Sequence, residues 1–325
     1  MAGAHPSKLL GHTLMTSPES TLDLSGDSRR RNKERLVRAV FFGAGLISIL
    51  ISVAIILSLA GEAWTFVSGL IKEGELGSLW SIGWFPRRGL YDLRTIIVGT
   101  FIIAIIAILV ATPLGLGAAI YLAEYATPRT RRALKPVIEM LAGIPSVVLG
   151  FWALAFVGPE VVQRVFASAG VFSMMSAGLA VGVLITPLVA SVSEDAMRAV
   201  PSALREASFG LGANRATTTL RVVLPAALSG IMASLILAFS RAIGETMVVF
   251  MAAGAVGGAL FTVNPLDPGQ TMTAAIASLA TGTDQVAGEG LAFQSLFFVG
   301  LLLFLMTLAL NSASNRLVRR FREVY

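Results

Sequence analysis

Apolar residues in this chain fall in long unbroken runs rather than at amphipathic spacing. About 20 apolar residues in a helix span the ~30 Å hydrocarbon core of a bilayer. Six such runs predict six membrane-crossing helices, over 39–60, 95–121, 137–157, 171–192, 226–253 and 291–310. The first is longer than the ~7–15 apolar residues of a secretory signal core. It therefore reads as an uncleaved span despite the small residues Ser58 and Ala60. The pattern predicts an all-α membrane protein. A disordered basic tail (1–38) precedes the first helix (39–60) and an extracytoplasmic loop (61–94). A helical core (95–312) carries a polar, helix-like segment (193–225), and a basic tail (313–325) closes the chain. Trp64, Trp80 and Trp84, with the Phe85-Pro86 turn, place the 61–94 loop at the membrane–water interface.

Charge orients the pattern. Of 25 Lys and Arg, 19 fall in the N-terminal tail, the loop after the second run, the 193–225 segment and the C-terminal tail. Five lie in the alternate loops, and Arg241 lies inside a run. Positive charge stays cytoplasmic, so both termini and segment 193–225 are expected in the cytoplasm, and the imbalance supports the six-span count. A twin-arginine signal is not supported, because no Phe-Leu follows Arg29-Arg30.

Composition narrows the chemistry. Only 14% of the 325 residues are charged, against about 25% in a soluble domain, and the mean hydropathy is +0.78. The absence of Cys removes disulfides, thiol catalysis and thiolate metal sites from this chain. The two histidines, His5 and His12, sit in the N-terminal tail, so no imidazole base or His metal cluster lies in the spans. No Gly-x4-Gly-Lys-Ser/Thr run is present to hold ATP. A membrane enzyme would need a Ser/Lys or acidic pair.

The segment between spans four and five reads Glu206-Ala207-Ser208-Phe209-Gly210-Leu211-Gly212, nine residues, then Val222-Val223-Leu224-Pro225. Pro201 suits the first turn of a helix, where its missing N–H is not needed. Glu206 and Ala207 lie within that helix, and Gly212 permits a tight turn. A second short helix is expected to end at Leu224, with Pro225 marking the entry to span five. Such a helix–turn–helix can press into a cleft on a soluble partner. A solvated amphipathic loop is the plainer alternative.

Span five carries Ser240-Arg241-Ala242-Ile243-Gly244-Glu245-Thr246-Met247. An Arg within an apolar span costs roughly 2.5–3.5 kcal/mol on insertion scales. Arg241 lies 16 residues past Pro225, about 24 Å along a helix at ~1.5 Å per residue, and Glu245 is one turn further on the same face. A guanidinium holds an oxyanion by two parallel hydrogen bonds, with Glu245 steadying it. A self-neutralising pair, Glu245 reaching the outer interface, fits the same residues.

Pro145-Ser146, Pro113 and Pro187 lie mid-span, where proline frees a carbonyl. An opened turn near Ser146 would offer polar groups to a passing anion. Small residues at Gly115, Gly117, Ala118, Gly178 and Gly182 fit close helix packing, and Gly254, Gly257 and Gly258 ease the chain out of span five.

The Glu206 to Pro225 pattern resembles the EAA motif of ABC importer permeases, with Ser208 and Val222 as small departures. Three runs resemble phosphate ABC transporter permeases: Arg241 to Met247, Ala142 to Gly150 followed by Phe151-Trp152, and 268–276. Leu149 stands where Tyr is common. Thr246-Met247-Val248-Val249 and the long N-terminal region favour the PstC type over the PstA type.

The resemblance implies a type I importer permease core in the bacterial inner membrane, serving as a transporter subunit and not an enzyme. Coupling would fall to Glu206, Ala207, Gly212, Leu224 and Pro225. The substrate path would include Arg241, Glu245, Thr246, Pro145 and Ser146. It implies as partners a second PstA-like permease, a PstB-like ATPase dimer holding Mg-ATP, a PstS-like phosphate-binding protein and membrane lipid, without nucleic acid. Sulfate or molybdate import, the PstA role and a non-transporting phosphate sensor stay open.

Overall fold

A computed structural model describes residues 28–254, 257–281 and 290–320. Two units are distinguished, Met1–Ile55 and Ile56–Tyr325. Helix α1 (Ser28–Glu73) is far longer than the 39–60 stretch expected. Arg, Lys and Glu are good helix formers, so the basic residues just before the apolar run extend the helix, and 28–38 is not a disordered tail. Residues 1–27, with His5 and His12, and residues 321–325 lie outside the described residues. In the first unit the apolar side chains of α1 are exposed, among them Phe41 and Phe42.

The second unit holds α2 (Leu93–Ile120), α3 (Pro128–Leu141), α4 (Ser146–Trp152), α5 (Gln163–Val165), α6 (Met174–Arg198), α7 (Ser202–Gly210), α8 (Arg215–Thr218), α9 (Leu224–Ile243), α10 (Met247–Ala252), α11 (Met272–Ala280) and α12 (Gly290–Arg320). Among the described residues six helices are long and apolar enough to cross a membrane: Lys33–Glu73, Leu93–Tyr125, Ser146–Val165, Met174–Arg198, Arg215–Ile243 and Gly290–Ala313.

The centre is α2 against α6, with α9 packed on both. Small residues set the spacing. A Cβ on Gly115 would lie 2.7 Å from the Cβ of Val189, one on Gly178 2.7 Å from that of Ile106, and one on Gly182 2.7 Å from that of Val110. Those neighbours are fixed to backbone and cannot swing aside. Gly117, by contrast, has open space around it.

The third span departs from its expected bounds. The run 137–157 reads as continuous, yet α3 ends at Leu141, the chain turns through Ala142 to Pro145, and the span begins at Ser146. Proline disfavours helix at the residue before it, which fixes the break. Helix α3 is an amphipathic helix with no buried residue. Proline also shapes the path into the fifth span. Pro225 does not break the chain, because a π-helical turn over Thr219–Val223 precedes it and α8 to α9 run on as one helix. The wider turn accommodates the missing N–H.

The 61–94 region is folded as well. Strands β1 (Gly83–Phe85), β2 (Leu90–Tyr91) and β3 (Ala259–Leu260) form an antiparallel sheet in the order β2-β1-β3. Trp84 pairs with Tyr91 and is 1% exposed, in a cluster with Phe66, Leu70, Ile96 and Met272. It is a core residue, whereas Trp64 and Trp80 are exposed. Strand alternation turns Trp84 inward.

Candidate substrate path and coupling segment

The expectation of one helix through 226–253 fails at the charged run. Helix α9 ends at Ile243, residues Gly244 to Thr246 leave it, and α10 starts at Met247. Glu245 is 8% exposed, and its Oε1 accepts the backbone N–H of Met247 at 3.1 Å and of Val248 at 3.2 Å. It caps α10 and makes no ion pair with Arg241. The i,i+4 pairing inferred from a continuous helix is overturned because Gly244 ends the helix before the second partner is reached.

The break is held from the side. The Glu245 carbonyl accepts the Thr273 hydroxyl at 2.8 Å, Thr271 and Thr273 share a 2.9 Å hydrogen bond, and Thr271 caps α11. The N–H of Met272 donates to the Thr100 hydroxyl at 3.0 Å. Gly99 leaves room for the Gln270 carbonyl, which a Cβ there would meet at 2.5 Å. The 241–247 and 268–276 runs, distant in sequence, therefore meet at one place.

Arg241, in the last turn of α9, is exposed and has no ion-pair or hydrogen-bond partner among the described residues. With Glu245, Gly244, Ser240, Leu237 and Leu188 it lines an open cleft of about 530 Å³. Ser240 donates to the Asn311 side chain at 2.8 Å. Thr246 is half-buried beside the break, its hydroxyl 3.3 Å from the Gly244 carbonyl. Pro145 and Ser146 do not line this cleft. They open α4, where the Pro145 carbonyl accepts the N–H of Val148 at 2.9 Å. Helix α4 nonetheless packs on α10, since a Cβ on Gly150 would lie 3.1 Å from the Met247 carbonyl.

The other site is the helix–turn–helix. Helix α7 carries Glu206 and Ala207 exposed on its surface. It ends in a Schellman turn: Gly212 at φ +82° donates to the Phe209 carbonyl at 2.9 Å, and Ala213 donates to that of Ser208 at 3.1 Å. The αL conformation there favours glycine. Leu211, at the tip, is 90% exposed and Phe209 is exposed beside it. The Asn214 side chain caps α8, and Ser208 hydrogen-bonds Thr218 at 2.8 Å, tying α7 to α8. Leu224 is half-buried and Pro225 exposed where α9 begins.

Two anchors were not foreseen. Arg205 of α7 donates to Glu124 at 2.9 Å, to the Met197 carbonyl at 2.8 Å and to the Val200 carbonyl at 2.7 Å, fastening α7 to the ends of the second and fourth spans. Glu194 is fully buried near the end of α6, paired with Arg131 and, at 3.2 Å, with Lys135. Lys135 also meets Asp195 at 2.8 Å. Burial pulls the Lys135 ammonium down, but Asp195 and Glu194 outweigh it and hold its pKa above the usual lysine value. The available signal was an acidic pair ending an apolar run on the basic side of the chain.

Residues 111–323 match the family described as "Binding-protein-dependent transport system inner membrane component". Among curated relatives, the probable ABC transporter permease protein YqgH of Bacillus subtilis is 34% identical over 289 residues, covering 87% of this chain and 90% of its own. Phosphate transport system permease protein PstC 1 of Mycobacterium tuberculosis is 33% identical over 258 residues, covering 72% and 74%. PstC of Mesorhizobium japonicum is 30% identical over 305 residues, covering 88% and 90%. Among solved structures, a bacterial alginate ABC transporter with its periplasmic protein superposes with TM-score 0.56 at 17% identity over 88% of this chain and 96% of that one. The MetNI methionine ABC transporter, inward facing, gives 0.53 at 19% over 69% and 94%.

Proposed function

The chain belongs to the family of binding-protein-dependent transport system inner membrane components, and from that premise we propose that it is the PstC-type permease subunit of an ATP-driven phosphate importer. Its fold is the type I importer permease core, and it is a multi-pass membrane protein. In this reading it lies in the bacterial inner membrane with both termini in the cytoplasm, as the Lys and Arg distribution favours. It forms half of the path, a PstA-like permease forms the other half, and a PstS-like protein delivers phosphate from outside.

The observation that carries the reading is Arg241, a permanently charged side chain without an ion-pair or hydrogen-bond partner among the described residues, in an open cleft of about 530 Å³ at a helix break. An unpaired guanidinium inside an apolar span costs energy unless a ligand or water meets it. Phosphate offers the oxygens that its planar donor fork fits. Thr246 borders the same break. Pro145 and Ser146 join the path through the α4–α10 contact, not through this cleft.

The α7–α8 hairpin is the element on which a PstB-like ATPase dimer, carrying Mg-ATP, docks. Its exposed Glu206, Ala207, Phe209 and Leu211 form the contact. Arg205 and the unbroken α8–α9 helix through Leu224 and Pro225 carry motion to the break. Leu211→Asp is expected to reduce ATPase co-purification at least about tenfold, as loss of a buried apolar contact does. Co-purification at the wild-type level would place docking elsewhere.

Radiolabelled phosphate uptake, in cells that depend on this protein, tests the whole reading. Uptake that excess sulfate and molybdate do not compete away supports it. Absence of phosphate uptake with all partners present would assign the path to another anion.

A further inference from the structure

We infer that Glu245 reads the proton on the transported anion, so that the site accepts a protonated tetrahedral oxyanion and rejects a fully deprotonated one. The inference rests on the Arg241–Glu245 cleft being the anion path.

The two charged groups of the cleft are not paired with each other. Arg241 only donates hydrogen bonds, and an ionised Glu245 only accepts them. Of the Glu245 oxygens, Oε1 is committed to the N–H groups of Met247 and Val248. Oε2 receives no hydrogen bond from any described residue, and Glu245 lines the same cleft as Arg241. The same space is thus lined by one donor fork and by one carboxylate that keeps an uncommitted oxygen.

Phosphate near neutral pH keeps at least one O–H. It can donate that proton's hydrogen bond to Oε2 while its other oxygens accept from Arg241. Arsenate shares this chemistry. Sulfate and molybdate have lost both protons, so they set lone pairs and negative charge against Oε2 with no hydrogen bond to offset the repulsion. Arg241 then supplies attraction to any oxyanion and Glu245 supplies the choice among them.

The test uses the permease–ATPase complex in nanodiscs without its binding protein, which would impose its own selectivity. Equilibrium binding of labelled phosphate and sulfate is measured for wild type, Arg241→Ala and Glu245→Gln. The Gln variant keeps a capping oxygen for α10 and turns the free acceptor into a donor. Wild type is expected to prefer phosphate by at least about tenfold, as sites that hydrogen-bond a ligand O–H do. Glu245→Gln is expected to bring that preference within about twofold by admitting sulfate.

A variant-free arm uses monofluorophosphate, which matches hydrogen phosphate in shape and charge but lacks the O–H. It is expected to displace phosphate at least about tenfold less well than arsenate does. Equal displacement overturns the inference. So does an unchanged preference in Glu245→Gln, and if Arg241→Ala then loses both anions the path reading survives alone. Wild type binding neither anion, or Arg241→Ala binding both normally, overturns the path reading and this inference together.

Discussion

Arg241→Ala is expected to lower phosphate uptake by about a hundredfold, the scale of losing charge-assisted hydrogen bonds to a ligand, while the complex assembles as in wild type. The separation of the two effects follows from the surroundings of the side chain. It is exposed and has no partner among the described residues, so truncation orphans no buried group and opens no core cavity. The cap of α10 belongs to Glu245 and does not involve Arg241. Insertion itself becomes easier, since a charged residue in a span costs roughly 2.5–3.5 kcal/mol. Arg241→Lys is expected to fall between the two, retaining the charge without the planar fork. The measurement is labelled phosphate uptake, with co-purification of the second permease and the ATPase as the assembly control. Wild-type uptake in the Ala variant would remove Arg241 from the path.

The elements that long-range arithmetic can see were legible in the sequence. Six apolar runs became six apolar helices, and the spacing from Glu206 through Gly212 to Pro225 gave a helix, an αL glycine turn and a return helix. What escaped was set by local interruptions or distant contacts. The apolar run 137–157 hides the turn at Ala142 to Pro145, although Ile144 before Pro145 was a helix-ending signal. Glu245 reads as the i+4 partner of Arg241 only while the helix is continuous, and Gly244 removes that condition. Trp84 looks like an interfacial tryptophan until a distant strand, β3 at Ala259–Leu260, pairs with its own. The Arg131–Glu194 and Glu124–Arg205 pairs join residues more than 60 positions apart, and no periodicity in one sequence reports such a match.

Those pairs set the other large expectation. Glu194→Ala is expected to destabilise the protein by roughly 3–5 kcal/mol, the range for breaking a buried ion pair by removing one partner. Glu194 has no exposed surface, and it is the residue that Arg131 and Lys135 share. Without it, two cations on α3 face the end of α6 with only Asp195, itself largely exposed, to answer them. Lys135→Ala is expected to cost less than half as much, because that side chain is already about a quarter exposed and Arg131 still neutralises the carboxylate. The Lys135 pKa is raised, so its share of the clamp is fully present below its unfolded value of 10.5 and is lost only as pH rises past the folded one. Thermal unfolding of the purified protein in one detergent should therefore rank Glu194→Ala well below Lys135→Ala and wild type between pH 6 and 8, two variants whose difference tests the buried position. A triple change of Glu194, Arg131 and Lys135 to apolar residues of similar size should recover most of the loss. If Glu194→Ala unfolds with the wild type, α3 is held to α6 by something other than this carboxylate, and the start of α7, four residues beyond α6, is not positioned through it.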